Sequence, residues 1–251
     1  MSAKKLLAEL KSLGKESGAK TYRRHGATGE VLGVSYADFG KIKKRIGVDQ
    51  ELADALWDSG VHDAGVLAAM IADPHRIAVG TLDRWARRVE SHMLAWELGS
   101  LAGRSRHGRT RAEKWTRARG DLVAASGWNT VAVLAEGGAR RGAADAADPA
   151  PGEDWFAERL REIEEGMEAA GNRTRYSMNT ALIAIGARGG RLQRAAIAVA
   201  RRIGKVEVDH GDTSCKTPDA ENYILKTVKH RAELAARRSE KAAVKKKATK
   251  R

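Results

Sequence analysis

The sequence has few of the residues that form disulfide frameworks, rigid loops or membrane spans. It contains one cysteine, Cys215, and four prolines in 251 residues. A single cysteine excludes an intrachain disulfide and a cysteine-based zinc site, and it suits a reducing compartment. No run reaches the about 18 apolar residues that a membrane helix needs, and the basic, weakly apolar N-terminus does not resemble a signal peptide. We therefore expect a cytoplasmic protein that has no membrane partner and binds neither metal nor cofactor.

Acidic residues are also in deficit. Lys and Arg number 46 against 32 Asp and Glu, a formal net charge of +14, and the isoelectric point is near 10.1. Such an excess is typical of proteins that bind nucleic acid or an anionic surface. Residues 226–251 hold eleven Lys and Arg against Glu233 and Glu240, a net +9. We predict a partly disordered basic tail there, which either attracts DNA non-specifically or is simply solvated.

Alternating strand patterns are missing, whereas apolar residues recur at helical spacing along most of the chain. The sequence therefore predicts an all-α fold, with residues 1–225 forming one α-solenoid of HEAT-like antiparallel helical repeats. The segment 137–152 is poor in bulky residues and predicts a mobile connection. The predicted helices before the final helix pair cover residues 3–13, 35–45, 49–59, 62–73, 81–99, 110–118, 121–136 and 153–170.

Two amphipathic helices, joined by Gly189 and Gly190, follow Asn172. In the first, Tyr176, Met178, Ala181, Leu182 and Ile185 are predicted to face the core, whereas Arg173, Arg175, Asn179 and Thr180 face outward. The second places Leu192, Ala195, Ala196, Val199 and Ile203 inward and Arg191, Arg194, Arg201 and Arg202 outward. An apolar face opposite a basic face suggests a solenoid unit that binds an anion.

Other basic segments are candidates for contact with a phosphate backbone. Four arginines fall between residues 104 and 111, where we predict a polar loop. The glycine-rich segment 22–34 begins with Tyr22, Arg23 and Arg24, and it is interpreted either as a phosphate-contacting loop or as a loop that covers the repeats. Helix 81–99 is predicted to align Trp85, Val89, Met93 and Trp96 in one stripe. Asp63, at the start of its helix, is interpreted as a cap rather than a catalytic or DNA contact.

Three stretches resemble one protein family. They read YRRHGATGEVLGVSYADFGKIKKRIG at 22–47, LWDSGVHDAGVLAAMIADP at 56–74, and RxxMNxALIAIG followed by RIGKVEVDHGDTSCKTPDA near the C-terminus. The sequence is similar to the DNA alkylation repair, or AlkD-like, family of HEAT-like repeat DNA glycosylases over most of residues 15–225. The resemblance implies a curved helical-repeat protein that removes cationic alkylated purines, such as 3-methyladenine and 7-methylguanine, from duplex DNA.

The resemblance also implies a cleft with two tryptophans and one aspartate. The carboxylate would oppose the charge that develops on the sugar and orient a water, while the indoles hold the sugar. The implied W-x-x-x-D arrangement falls on residues 90–99, where this sequence has Trp96 and then Glu97. It has no tryptophan near Thr180, and Ser126 stands about where a basic residue is implied.

Candidate replacements lie nearby. Trp96 or Trp128 would supply an aromatic wall, and Glu97, Glu90 or Asp209 the carboxylate. Asp209, His210 and Asp212 form either an acid and base cluster, with weak capacity for a divalent metal, or a turn through Gly211. We therefore select Trp96, Glu97 and Asp209 as catalytic candidates. The DNA-binding candidates are Arg23, Arg24, Arg104, Arg106, Arg109, Arg111, Trp128, Arg173, Arg175 and Lys216.

These observations leave three functional hypotheses. The first is a monomeric, nucleoid-associated AlkD-like DNA glycosylase, an assignment that the resemblance favours. The second is a non-catalytic protein on the same scaffold that recognises distorted or branched DNA, and the absent aspartate and tryptophan favour it. The third, a helical scaffold for other proteins, leaves the basic segments unexplained.

Overall fold

The structure, a computed structural model, describes residues 2–137 and 151–248, with side chains described through residue 237. Within these ranges thirteen α-helices form, and the extended backbone makes only an isolated bridge between Glu30 and Val61. The predicted all-α class is confirmed. The helices are α1 (Ala3–Leu13), α2 (Glu16–Arg24), α3 (Tyr36–Ile46), α4 (Gln50–Asp58), α5 (His62–Ile71), α6 (Val79–Ala86), α7 (His92–Arg104), α8 (Gly108–Trp115), α9 (Asp121–Ala135), α10 (Glu153–Gly166), α11 (Asn172–Gly186), α12 (Gly190–Ile203) and α13 (Ala220–Ala248).

From α4 onward the helices pair in two layers. The inner layer is the series α5, α7, α9, α11 and α13, in which each helix packs on the next. The helices α4, α6, α8, α10 and α12 form an outer layer, and neighbouring helices of the chain pack across the two layers. Stacking of paired helices is the arrangement of HEAT-like repeats, because each pair buries its apolar faces against its neighbours.

The inner helices α7 and α9 approach closely because α7 carries glycines one turn apart. A Cβ atom on Gly99 would lie 2.6 Å from Cβ of Asn129, and one on Gly103 would lie 2.7 Å from Cβ of Val133. Side chains at these positions would force the helices apart. The two glycines therefore set the spacing of α7 and α9 in the central repeats.

The outer layer is joined by polar side chains from one helix to the next. Arg84 of α6 and Arg88, two residues after its end, pair with Asp54 and Asp58 of α4 at 3.4 and 3.0 Å. Asp83 of α6 accepts hydrogen bonds from three residues of α8, namely Arg111, Lys114 and Trp115. Further along, the Trp155 indole of α10 donates to Glu113 of α8, and Arg202 of α12 pairs with Glu164 of α10. Much of the arginine content is therefore used within the fold.

The prediction of one helix over residues 81–99 is wrong. Helix α6 ends at Ala86, and α7 starts anew after Ser91, whose hydroxyl accepts a hydrogen bond from the backbone N–H of Leu94 at 3.2 Å. Ser91 also lies 2.9 Å from Nε2 of the buried His62. This polar contact with α5 and the serine cap favour a new helix over continuation of the old one.

The predicted helix pair at the C-terminal end is confirmed, with a turn at Gly189 and Gly190 that uses positive φ angles of 86° and 58°. On α12, three of the four predicted outward arginines are neutralised within the fold, because Arg191, Arg201 and Arg202 pair with Asp154, Glu221 and Glu164. Asn179, predicted to face outward, is buried and donates to the carbonyl of Pro218 at 2.9 Å.

Two predicted segments remain expectations. Residues 138–150 of the predicted mobile connection lie outside the described residues. Helix α13 passes through the predicted boundary between residues 225 and 226, and Ile224 anchors its start in the core. Among the described helices, none combines the length and the apolar character that crossing a bilayer requires.

Asp63 does not cap its own helix. It is fully buried, and its two carboxylate oxygens accept hydrogen bonds from the backbone N–H groups of Leu32 and Val34 at 2.8 and 2.7 Å. The hydroxyl of Tyr22 donates to the carbonyl of Val34. Residues 30–34 are therefore held against the repeats as a covering segment, and the flanking helices α2 and α3 lie over the inner layer.

Candidate functional site

A cavity of about 520 Å³ opens between the N-terminal helices and the inner layer. Helices α2 and α3 form one side of it, and α7, α9 and α11 form the other. Its volume lies in the range of about 300–1,000 Å³ that is usual for small-molecule and cofactor sites. Helices α2 and α3 and the inner layer together create this space, so neither half of the site is complete without the other.

Aromatic rings from four helices line the cavity. Tyr22 belongs to α2, Tyr36 to α3, Trp96 to α7 and Tyr176 to α11. Trp96 is 38% exposed and Tyr36 is 45% exposed, which is unusual for large rings in this protein. Exposed rings around one cavity offer flat faces for stacking. Trp96, one of the catalytic candidates of the sequence analysis, is therefore part of the cavity wall.

Two histidines from different elements meet inside the cavity. The rings of His25 and His92 lie 4.9 Å apart edge to face, and Nδ1 of His92 donates to the carbonyl of His25 at 2.7 Å. Burial, reinforced by the positive charge of Arg173, lowers the pKa of His92 to about 4. Burial and the same arginine also lower the pKa of His25. Both rings are therefore neutral near pH 7 and act as hydrogen-bonding and stacking groups.

Arg173 is the cationic residue of the cavity. It lies in the first turn of α11, where Asp121 of α9 accepts hydrogen bonds from the backbone N–H groups of Arg173 and Thr174 at 3.0 and 2.8 Å. Asp121 thus occupies the helix end that an anion would otherwise approach. In the described part of the chain the Arg173 guanidinium has no ion-pair partner, so it remains available to an external anion.

Asn129 and Ser177 form the polar floor of the cavity. Both are 4% exposed and both line the cavity, Asn129 from α9 and Ser177 from α11. No described residue forms a hydrogen bond with either side chain. Neither side chain is among those whose unpaired polar atoms are fully enclosed, so both are open to the cavity and can bind what enters it.

Glu97 is not part of the cavity surface. It is 8% exposed, and the hydroxyl of Tyr36 donates to its Oε1 at 3.3 Å, so the ring of Tyr36 lies between the carboxyl and the cavity. Burial raises the pKa of Glu97, although Tyr36, Lys43 and Arg104 oppose the shift. Glu97 points away from the cavity although Trp96 lines it, because neighbouring residues of a helix point about 100° apart.

Asp209 lies in the exposed loop between α12 and α13. Its backbone exchanges two hydrogen bonds with the Asn172 side chain, and its carboxylate accepts from the N–H of Gly211 at 2.7 Å. Gly211 has a φ of 63°, as the predicted turn requires. Within the described ranges no three His, Cys, Asp or Glu side chains are grouped as metal ligands would be. The geometry is that of the turn rather than of an acid and base cluster.

The polar loop predicted over residues 104–111 is wrong. Only residues 105–107 separate α7 from α8, so Arg104, Arg109 and Arg111 belong to helices. Nε of Arg104 donates to the carbonyl of Ser100 at 3.1 Å, Arg109 pairs with Glu113 at 3.1 Å, and the largely buried Arg111 pairs with Asp83 at 2.6 Å. Arg106 is exposed on the short turn. These arginines cannot follow a phosphate backbone together.

Two further candidates are placed away from the cavity. Trp128 is 2% exposed in the core between α9 and α10, so it cannot stack on a ligand. Arg175 lies on the far side of α11 in a separate cavity with Glu164, Glu168 and Glu207. Two residues along a helix correspond to about 200° of rotation, which separates Arg175 from Arg173.

Three of the predicted DNA-binding residues are exposed on α2 and on the loop after α12. Arg23 and Arg24 are on α2, next to the cavity residues Thr21 and Tyr22, and Arg24 lies 3.9 Å from Asp212 of the loop after α12. Lys216 is exposed on the same loop. These three predicted DNA-binding residues stay compatible with contact to a polyanion.

Sequence reasoning missed Tyr36, Asn129 and Ser177 and predicted that Tyr176 faces the core. Tyr36 and Tyr176 lie in amphipathic helices, where an aromatic ring is indistinguishable from a core residue. Asn129 could have been found from the sequence, because an amide within the apolar run of α9 is costly to bury without a hydrogen-bond partner.

Comparisons with known proteins agree with this architecture. The family described as "DNA alkylation repair enzyme" matches residues 6–224. The chain is 30% identical over 224 residues to the uncharacterized protein Lin0241 of Listeria innocua and 28% identical over 224 residues to Lmo0209 of Listeria monocytogenes. Each alignment covers 87% of this chain and 93% of the relative.

A solved structure also superimposes on this chain with a TM-score of 0.78 and 27% sequence identity. The alignment covers 92% of this chain and 95% of that one. The solved protein is described as a member of "a new family of proteins related to the HEAT-like repeat DNA glycosylases with affinity for branched DNA structures". The HEAT-like helical repeat fold that the sequence predicts is confirmed by this match.

Proposed function

This chain belongs to the DNA alkylation repair enzyme family, and we propose that it is a DNA-binding protein that recognises distorted or branched DNA without cleaving the glycosidic bond. The observation that carries the proposal is the composition of the cavity. All twelve residues that line it lie in the described part of the chain, and none of them is Asp or Glu. A developing sugar cation would face Arg173 and neutral side chains there instead of a carboxylate.

The same surface suits DNA that is not fully paired. At a branch point or bulge, bases lose stacking partners and expose flat faces, and aromatic side chains bind such faces without sequence preference. Trp96, Tyr36 and Tyr176 present their rings at one opening. In an intact duplex the base faces are covered, which removes this contribution to binding. The affinity of the solved relative for branched DNA supports this reading.

Electrostatics would supply the sequence-independent part of the affinity. Arg173 lies in the cavity, Arg23 and Arg24 follow the cavity residue Tyr22 on α2, and Lys216 is exposed on the loop after α12. The net charge of +14 adds a long-range attraction to DNA that salt weakens. In a bacterial cell a protein with these properties would be found with the nucleoid.

The test compares a four-way junction with a duplex of equal length by fluorescence anisotropy. We expect the wild type to bind the junction about tenfold more tightly than the duplex. Arg173→Gln should weaken binding to both DNAs and reduce the salt dependence by about one phosphate contact. Arg175→Gln is the matched control, because it removes a cation from the opposite side of the same helix. Equal affinities for junction and duplex would refute the proposal.

A glycosylase is the second candidate, and one observation favours it. The carboxyl of Glu97 hydrogen-bonds to Tyr36, which itself lines the cavity beside Trp96. A small rotation of Tyr36 would be needed to bring the acid to a substrate. Single-turnover release of methylated bases from N-methyl-N-nitrosourea-treated duplex DNA tests this candidate. We expect the spontaneous rate, whereas faster release that Glu97→Gln abolishes would establish the glycosylase.

A further inference from the structure

The cavity floor contains two polar side chains that the folded chain leaves unpaired. Asn129 and Ser177 are each 4% exposed, and no described residue bonds to them, although both line the cavity. Other polar groups of the same helices are paired, since Thr130 of α9 donates to the carbonyl of Ser126 and Thr180 of α11 donates to the carbonyl of Tyr176. The buried unpaired atoms Nε1 of Trp128, Nε of Arg175 and Oδ1 of Asn179 belong to residues outside the cavity lining, so a ligand in the cavity would reach Asn129 and Ser177 but not these atoms.

Leaving such groups unpaired is costly unless a ligand or water satisfies them. The amide of Asn129 offers a donor and an acceptor side by side, and the hydroxyl of Ser177 offers either. A matching ligand must have adjacent acceptor and donor groups on one edge. Adenine has this pattern at N7 and N6, where asparagine binds it in a bidentate manner.

The walls above this floor select a planar, uncharged group. Tyr36, Trp96 and Tyr176 come from three helices and expose ring surface to the same space. The neutral His25 and His92 add two more rings, which lie 4.9 Å apart. A deoxyribose within a DNA strand packs on such rings through its C–H groups, but its 3′ and 5′ oxygens are esterified and it offers no donor to the cavity floor. A free cation is disfavoured by Arg173 and by the lack of an acid among the lining residues.

Arg173 completes the match at the cavity wall. A nucleotide carries a phosphate on the sugar attached to its base, and the Arg173 guanidinium is the group in this cavity suited to that anion. The volume of about 520 Å³ holds a base together with its sugar.

From these observations we propose that the cavity is a pocket for a single unpaired DNA base, preferably adenine, which enters it from a bulge or branch point and pairs with Asn129 and Ser177. The inference rests on the proposed function, since it concerns the same DNA. It goes further in assigning the cavity floor to base contact rather than to backbone contact alone.

The experiment uses the full chain and three DNA probes of one sequence, measured by fluorescence anisotropy. The first is a duplex with one unpaired adenine nucleotide, the second has a tetrahydrofuran abasic nucleotide at that position, and the third is fully paired. We expect the adenine bulge to bind about tenfold more tightly than the abasic bulge. The abasic bulge should still bind more tightly than the paired duplex, because the distortion remains.

Two variants test the assigned residues. Asn129→Leu keeps the side-chain size but removes both hydrogen-bonding groups, and Ser177→Ala removes one hydroxyl with little change in volume. Each should reduce the preference for adenine over the abasic bulge while leaving the affinity for the abasic bulge unchanged. Arg175→Gln, outside the cavity, should keep the preference. Thermal denaturation checks that each variant folds. If Asn129→Leu does not fold, Ser177→Ala alone decides the test.

The outcomes separate this inference from the function on which it rests. Equal affinity for the adenine and abasic bulges, both above that for the duplex, would overturn the base pocket and leave the recognition of distorted DNA in place. Equal affinity for all three probes would overturn both. Loss of affinity for every probe in the two variants would show general backbone contact and would also overturn the base pocket.

Discussion

The hydroxyl of Tyr36 donates a hydrogen bond to Oε1 of Glu97 at 3.3 Å, from α3 to α7. This contact ties the covering N-terminal helices to the inner layer directly behind the cavity. It also explains why Glu97, the acid next to Trp96 in the sequence, does not line the cavity: its carboxyl is bonded to Tyr36 within the fold. The consequences of this arrangement, and of three others, are measurable.

Glu97→Gln should not destabilise the protein at pH 8. Burial raises the pKa of Glu97 on folding. Ionisation of Glu97 therefore destabilises the folded state at a pH above its folded pKa, and stability increases as the pH falls toward the pKa of the unfolded chain. Glutamine keeps an acceptor for Tyr36 without this cost. Chemical denaturation at pH 8 and pH 4.5 should show an advantage for the variant only at pH 8. Glu165→Gln, on the exposed surface of α10, is the control; a marked loss of stability in Glu97→Gln at pH 8 would contradict the assignment.

Asp83→Asn should lower the free energy of unfolding by about 2–3 kcal/mol. Asp83 accepts hydrogen bonds from Arg111, Lys114 and Trp115, and the Arg111 side chain is only 12% exposed. The substitution leaves that guanidinium buried without its counter-charge. Asp58→Asn breaks a comparable pair with Arg88 whose side chains are about half exposed, and should cost less than about 1 kcal/mol. Urea denaturation measures both, and equal losses would show that burial is not decisive.

Gly99→Ala should destabilise the fold by about 1–3 kcal/mol through overpacking. The new methyl group would lie 2.6 Å from Cβ of Asn129 and 2.7 Å from the carbonyl oxygen of Ser126, so α7 and α9 must separate. The matched control is Gly40→Ala in α3, where no atom lies within 4 Å of the new Cβ. There alanine should stabilise the helix by about 0.5–1 kcal/mol. The two melting temperatures should move in opposite directions, and a shared direction would count against the close approach.

His92 should make the protein less stable in mild acid. Its pKa falls from 6.5 to about 4 on folding, so the unfolded chain binds a proton between these values and the folded chain does not. Stability is thus lost as the pH drops from about 6.5 to 4, by at most roughly 3 kcal/mol from this residue. His92→Gln retains a donor for the carbonyl of His25 and should show a shallower decline. Parallel profiles of unfolding free energy against pH for the two proteins would contradict this role. Some loss of stability in acid should persist in the variant, because the pKa of His25 is lowered too.

The fold could be predicted from the sequence because it depends on a periodic pattern. Leu182, Ile185, Leu192 and Val199 are buried as their spacing predicts, and a stretch of apolar residues at helical spacing has few other stable solutions. The break at Ser91 could not be predicted in this way. The stripe from Trp85 to Trp96 continues through it, and only the contact with His62 on another helix shows why a new helix begins there.

The candidate site was harder to predict because its residues are defined by their partners. Arg111 and Arg173 are both arginines on helices, yet Arg111 is paired with Asp83 while Arg173 opens into the cavity. Trp128 and Trp96 likewise share a residue type and differ in burial, 2% against 38%. No local pattern separates the members of either pair, since each outcome depends on a helix distant in sequence.

The sequence by itself determined the helical class, the repeat family and the excess of positive charge, because these follow from spacing, composition and motifs along one chain. The tertiary structure alone decided which charges are neutralised, which rings meet, and that Asn129 and Ser177 face a cavity without partners. The physical reason is that burial and hydrogen bonding are properties of pairs of residues. The pairs that form this cavity come from helices α2, α3, α7, α9 and α11, which only the packing of the layers brings together.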